Sequence, residues 1–368
     1  MTNFSGQYIV SPYGGSLQNL LVDPARASAL KAEAQNFPSI TLTLRQLCDL
    51  DLLMNGAFSP LRGFMTQDVY ESVLQDMRLP SGLPWSIPIN LDVPAEVAKK
   101  LKVGGHLGLN DAEGFVLAVL TVKDIWKPDK QREAELVFAT ASRAHPGVRY
   151  LQEQVQDTYV GGEVEGMQLP AHYDFETLRD TPEELRRLFD KHGWRRVVAF
   201  NTSKPMHRLH RDITLRAAKE AQASILLHPA VGMTKPGDLH YYARVHCYQA
   251  IKHHYPHNLA MLSLLPMAVR MAGPREALLN AVIRQNYGCS HIIVGPEHAA
   301  PPDVRLGGQR FYPTYAAQEL VARHQDQLAI RMIPIKEMRY VPENDQFLPL
   351  EQIEREGKKG LQFTEQEL

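Results

Sequence analysis

From residue 195 onward the sequence alternates short apolar runs with longer amphipathic ones. Arg195–Phe200, Ser224–Leu227, Leu259–Leu265, His291–Val294 and Ile330–Ile335 read as strands. Met206–Ala221, Leu239–His253, Pro274–Tyr287 and Thr314–His324 read as helices between them. Strands this short and apolar are buried on both faces, and a helix between successive strands makes them parallel. The expectation is an α/β fold built on a doubly wound parallel sheet of five strands. One helix precedes it: in Thr181-Pro182-Glu183-Glu184, Thr181 caps, Pro182 suits the first turn and Glu184 completes a capping box, while Gly193 ends the helix.

The part before residue 165 has a different character. Trp85–Val93 and Gly114–Val122 read as strands among Gly and Pro turns, and Pro94–Leu101 as a short helix at most. There is no internal repeat. The Gly-rich stretch Val160–Pro170 marks the expected boundary. The division is then a β-rich domain over 1–165, an α/β domain over 166–345, and a carboxyl-terminal extension over 346–368 of the kind that begins a truncated segment.

A chain of 368 residues, 44% hydrophobic and 22% charged, can bury a large core without staples. Its net charge of −1 removes the general electrostatic case for nucleic acid or an anionic membrane, so any anion must be held by local groups. Cys48, Cys247 and Cys289 are few and scattered, which argues for a reducing compartment and against a disulfide framework or cysteine zinc site. The start, MTNFSGQYIV, lacks a basic region followed by an apolar run. The apolar stretch Leu259–Met271 is interrupted by Pro266 and Arg270 and is too short to span a bilayer. A cytoplasmic location is expected.

In an open α/β sheet, ligands sit at the carboxyl ends of the strands. That selects two loops, Asn201–Pro205 and Gly295–Pro302. In the first, Thr202 and Ser203 bring hydroxyls and Lys204 a positive charge, ahead of a helix start whose free N–H groups attract anions. His207 and His210, three apart in the first turns, share a helix face and can donate to phosphate oxygens. A solvated or capping pair and a zinc pair are the competing readings of the same spacing. Lys235 and Asp238, after the second strand, either join this edge or form a solvated turn. Arg275 and Glu276 either reach a ligand or pair with each other.

Longer runs carry a family resemblance over nearly the whole chain. SPYGGSL (Ser11–Leu17), NGAFSPLRGFM (Asn55–Met65), MRLPSGLPWSIPINLDV (Met77–Val93), HPAVGMTKPGD (His228–Asp238), LLPMAVRMAGPREA (Leu264–Ala277) and RQNYGCSHIIVG (Arg284–Gly295) resemble the ATP sulfurylase (sulfate adenylyltransferase) family. The resemblance implies a PUA-like β-rich domain followed by a nucleotidyltransferase domain of the HxGH type. It implies Mg-ATP as substrate, no tightly bound cofactor and no metal site. The family reaction is attack of sulfate on the α-phosphorus, giving adenylyl sulfate and pyrophosphate.

The family motif Gln-Thr-Arg-Asn-Pro, followed by a His-x-x-His pair, here keeps Thr202, Pro205, His207 and His210. Asn201, Ser203 and Lys204 replace its Gln, Arg and Asn. Its Gly-Arg-Asp-His-Ala-Gly-Pro motif keeps Gly295, His298 and Ala299, with Pro296 and Glu297 replacing Arg and Asp. By resemblance, Thr202, Ser203, Lys204, His207 and His210 stand at the chemistry. ATP is expected against Asn201, Thr202, Lys204, His207, His210, Gly295, Pro296, Glu297, His298 and Met338, and sulfate against Asn201, Ser203 and Ala299. Serine cannot supply the charge and two-pronged geometry of arginine, so weakened sulfate turnover is expected. The alternative is a catalytically degenerate, oligomerising domain that supports an adenylyl-sulfate kinase partner or fused domain. No GxxxxGK[ST] loop occurs in these residues. A homo-oligomer is expected.

Overall fold

A computed structural model of the chain describes residues 9–233, 239–301 and 310–361. Lys235, Asp238 and the final Phe363–Leu368 stretch lie outside them.

The amino-terminal unit is a six-stranded sheet of β1 (Ser39–Thr41), β2 (Gly63–Phe64), β3 (Leu91–Val93), β4 (His106–Asn110), β5 (Val116–Trp126) and β6 (Thr158–Gly166). Its order is β1-β4-β5-β6-β2, with β3 also on β6. All pairings are antiparallel except β1 with β4. Around it lie α1 (Pro24–Ala34), α2 (Leu44–Met54), α3 (Gln67–Asp76), α4 (Ala95–Ala98), α5 (Lys130–Phe138) and α6 (Pro146–Glu153).

The structure refines two readings here. Most of the Gly-rich segment at the expected boundary is itself a strand: Thr158–Gly166 is β6, to which β5, β2 and β3 all pair. Its glycines permit close backbone approach. A Cβ on Gly161 would fall 2.1 Å from the Met65 carbonyl oxygen, and one on Gly162 1.9 Å from that of Thr121. In Trp85–Val93 only the last three residues form a strand. Trp85, Ile87, Ile89, Leu91 and Val93 are all buried, but so are Ser86 and Pro88, and burial alternates only from Ile89 to Val93. Pro88 has no N–H to give a ladder, and the segment runs extended without one.

The second unit follows the alternation closely. Helix α7 (Pro182–Lys191) starts at a true capping box: Glu184 N–H donates to Thr181 Oγ1 at 3.3 Å, and Thr181 N–H to the Glu184 carboxylate at 2.8 Å. Gly193 follows its end at φ +67°. Strands β7 (Val197–Phe200), β8 (Ser224–Leu227), β9 (Ala260–Leu262), β10 (His291–Val294) and β11 (Arg331–Pro334) alternate with α8 (Arg208–Ala221), α9 (Tyr241–Lys252), α10 (Pro274–Asn286) and α11 (Ala316–Arg323). The sheet is five-stranded and wholly parallel, in the order β11-β10-β7-β8-β9. A hairpin of β12 (Met338–Val341) and β13 (Gln346–Pro349) and helix α12 (Leu350–Arg355) complete it. The expected division at 345/346 therefore falls in the turn of this hairpin.

One apolar core joins the two units, running from Leu50, Trp85 and Val160 to Leu278, Val282 and Ile292. Helix α10 is its centre: every residue from Glu276 to Asn286 is buried. The Asn286 amide donates to the carbonyls of Ala57 and Ser59 at 2.9 Å each, and its oxygen accepts the Tyr13 N–H at 2.8 Å. Asp49 and Arg270 form a buried ion pair between the units at 2.7 Å.

Candidate functional site

The chain enters the parallel sheet at its middle strand, β7, runs outward through β8 and β9, then returns to β10 on the other side. The crevice between the carboxyl ends of β7 and β10 is thus the topological switch point. The loops that sequence selected are its two walls. Asn201 lies one residue past β7, and Gly295 one past β10.

The first wall is held from behind by side chains that grip its backbone. Lys204 N–H donates to Thr202 Oγ1 at 3.0 Å. The fully buried Arg244 of α9 donates from Nη1 to the carbonyls of Ser203 at 2.9 Å and Ala230 at 3.2 Å. Tyr248 OH donates to the Lys204 carbonyl at 2.8 Å. Carbonyls so fixed leave the Ser203 and Lys204 side chains with little backbone freedom, and Lys204 is exposed.

Helix α8 begins at Arg208, not at Met206, so His207 is the cap residue, with extended backbone, and His210 the third helical residue. The rings still adjoin, with centroids 4.2 Å apart. His207 N–H donates to His210 Nδ1 at 3.3 Å, which places the His210 proton on Nε2. Burial, the neighbouring His207 and the Lys204 charge hold His210 down at about 3, and burial also lowers His207. Both rings are neutral donors at neutral pH. No third His, Cys, Asp or Glu completes a metal-sized group with them among the described residues.

The second wall, 295–301, carries Glu297 and Ala299 at φ +53° and +57°. Its backbone is tied at both ends, by Glu297 N–H to the Thr314 carbonyl at 2.8 Å and by Gly273 N–H to that of Ala299 at 3.0 Å. The Glu297 carboxylate pairs with Arg310. Met338, on β12, is half-buried against the cluster that holds Phe200 and Met206.

Between the walls lies Arg284 of α10, fully buried. It donates from Nη2 to Asn201 Oδ1 at 2.8 Å and the His228 carbonyl at 3.1 Å, and from Nη1 to Asn280 Oδ1 at 2.6 Å. The Asn280 amide faces His298 Nε2 at 3.4 Å. Burial lowers Arg284 to about 10, and burial with the Arg284 charge lowers His298 to about 4. Burial in an apolar site also keeps His228, next to Tyr287, neutral.

The loops after the adjacent strands β7 and β10 thus place Asn201, Thr202, Ser203, Lys204, His207 and His210 at the same sheet edge as Gly295, Pro296, Glu297, His298 and Ala299, with Arg284 and Asn280 linking Asn201 to His298. Arg275 and Glu276 do neither thing expected of them. Arg275 donates to the carbonyls of Val73, Leu74 and Ser86, and Glu276 accepts the N–H groups of Arg270 and Ala272. Both serve the fold. Arg244, Tyr248, Asn280 and Arg284 were not singled out. The available signal was an arginine in helical register with large apolar residues, in LLNAVIRQN and in YYARVHCYQAIK.

The layout is that of a doubly wound α/β domain with its ligand crevice at the switch point, preceded by a β-rich unit. The PUA-like domain model matches residues 10–169, and the ATP-sulfurylase model residues 176–368. The sulfate adenylyltransferase of Eremothecium gossypii is 48% identical over 347 residues, 94% of this chain and 69% of that protein. Those of Gibberella zeae and Mycosarcoma maydis are 48% and 47% identical, over 97% and 93% of this chain but 63% and 60% of their own lengths. A solved structure, the hexameric APS kinase from Thiobacillus denitrificans, matches with a TM-score of 0.78 at 34% identity, over 98% of this chain and 63% of that one. This chain belongs to the ATP sulfurylase family. It spans 60 to 69% of the lengths of these relatives. No helix among the described residues is long and apolar enough to cross a membrane.

Proposed function

We propose that the switch-point crevice binds Mg-ATP and supports sulfate adenylyl transfer, slowly. In this reaction a sulfate oxygen attacks the α-phosphorus, the bond from that phosphorus to the bridging oxygen breaks, and pyrophosphate leaves with the electron pair. No enzyme bond forms, so the protein's part is positioning and charge stabilisation. His207 and the Nε2–H of His210 donate to the phosphate chain at the start of α8. The wall residues Asn201, Thr202, His298 and the Gly295 backbone line the nucleotide, with Met338 on the adenine side. Asn201, Ser203 and the Ala299 backbone face sulfate.

The observation that carries the reading is the placement of the two loops at one sheet edge, with a neutral histidine pair at the helix start that follows the first. Slowness follows from the charges. Ser203 brings none, Lys204 is exposed, and Arg310 is engaged by Glu297. Each missing donor to a transition-state charge costs about 100- to 1000-fold in rate. The test is pyrophosphate release from Mg-ATP, with and without sulfate. Sulfate-dependent release well below that of a relative with the Gln-Thr-Arg-Asn motif is expected; vigorous release refutes slowness, and failure to bind Mg-ATP refutes the site.

A second reading is favoured by the hexameric kinase relative, of which this chain matches 63%. Here the unit serves as an assembly scaffold for an adenylyl-sulfate kinase domain. Sulfate-independent nucleotide binding, no pyrophosphate release and a stable oligomer together support it over the enzymatic reading.

A further inference from the structure

We infer that Arg284 is a positioning residue that sets both walls of the crevice to present N–H donors. The argument follows hydrogen-bond polarity. A guanidinium has five donors and no acceptor, and it keeps its proton. The groups it touches must therefore turn their oxygens toward it. Asn201 gives Oδ1 to Nη2 at 2.8 Å, so its Nδ2 hydrogens remain to donate elsewhere. Asn280 gives Oδ1 to Nη1 at 2.6 Å, which leaves its Nδ2 as the atom facing His298. Across that 3.4 Å contact Nδ2 can only donate, so His298 Nε2 accepts and the ring proton sits on Nδ1. One obligate donor thus fixes the flip of two amides and the tautomer of one imidazole, on both sides of the switch point.

Little in the surroundings offsets this arrangement: Glu276, on the same helix, acts on Arg284 only from a distance. Arg284 pairs with no carboxylate among the described residues, and its other acceptor is the His228 carbonyl. Burying a guanidinium without a directly paired carboxylate costs stability, so its presence in α10 calls for a role beyond packing. Oxyanions accept hydrogen bonds and do not donate them when fully deprotonated. A crevice whose walls are both set to donate suits a phosphate chain or sulfate. This last step rests on the proposed function; the polarity of the walls does not.

The decisive substitution is Asn280→Asp. It keeps shape, gives Arg284 a carboxylate partner and removes the donor facing His298. Nitrogen-15 NMR of histidine-labelled full chain, with His298 assigned from His298→Gln, reads the tautomer without any ligand. The expectation is Nδ1–H in the original chain and a proton on Nε2 in Asn280→Asp. Nε2–H in the original chain, or no change on substitution, overturns the inference. If Asn280→Asp fails to fold, the tautomer of the original chain decides alone. Calorimetry with inorganic pyrophosphate then tests recognition: affinity should fall at least tenfold in Asn280→Asp, with His207 and His210 untouched. A switched tautomer with unchanged pyrophosphate affinity overturns the recognition step. Failure of the original chain to bind Mg-ATP counts against the proposed function, while the NMR result stands on its own.

Discussion

At the scale of single residues, the crevice turns on which groups can donate. His207 and His210 are both neutral, and hydrogen bonds to charged groups are worth about 1.5–3 kcal/mol each. The double change His207→Ala, His210→Ala should weaken Mg-ATP binding by at least tenfold in calorimetry. Because both rings already lie below their ordinary range, the original chain should show no inflection in ATP affinity from this pair between about pH 7 and 8. Asn201→Gln, Ser203→Arg, Lys204→Asn should raise sulfate-dependent pyrophosphate release, since it returns a guanidinium to the wall. Pro296→Arg with Glu297→Asp should raise it further, and more than additively if one anion bridges both loops. An inactive quintuple variant that folds and binds ATP would place the defect elsewhere.

These positions were legible because loops at strand ends and a helix-start histidine pair have sequence signatures. Arg244 and Arg284 were not, because an arginine in a helix reads as solvated until the fold shows that its face is covered. Periodicity does place Arg244 with Tyr248 and Ile251, all buried. What it does not reveal is which carbonyls those side chains will meet.

At the scale of elements, the strands that matched the sequence are those with no competing use for their backbone. Ser224–Leu227 and His291–Val294 came out residue for residue. Trp85–Val93 alternates in burial only over its last five residues, and Pro88 keeps the earlier part out of a ladder. The glycines of Val160–Gly166 read only as a boundary; in the structure they mark backbone crowding from other strands, which no local pattern encodes. Gly162→Ala should therefore destabilise by at least about 3 kcal/mol in urea unfolding, at the upper end of overpacking costs. A midpoint shift within error would mean that β5 can yield. The Asp49–Arg270 pair gives a second test. Asp49→Asn leaves a buried guanidinium unbalanced and should cost about 3–5 kcal/mol. Replacing both partners with apolar residues of similar volume should recover most of that loss.

At the scale of the whole molecule, buried histidines set the acid limit. His145 and His298 are lowered to about 4, His210 to about 3 and His228 well below its ordinary value, all chiefly by burial. The unfolded chain binds protons at these groups before the folded one does. Their contribution is complete above about pH 6.5 and is lost as pH falls toward the folded values. Fully buried His145 alone should lose about 2 kcal/mol by pH 5. Buried carboxyls oppose this: burial raises Glu133 to about 7, so its contribution grows on acidification by about as much as one histidine loses, and burial also raises Glu276 and Asp180. Four histidines outweigh them, and the unfolding midpoint should drop clearly between pH 7.5 and 5. His228→Phe keeps a ring against Tyr287 without the titration and should drop less.

The burial of α10 on every side has a consequence for how this architecture can be reassembled. Residues from the β-rich unit form part of the wall around a helix that belongs, by sequence, to the parallel sheet. A chimera that joins residues 176–361 to a foreign β domain would present Leu278, Val282 and Asn286 to a surface never shaped for them. Neither half is a transplantable module, and inheritance of one without the other should yield aggregates instead of a smaller working protein.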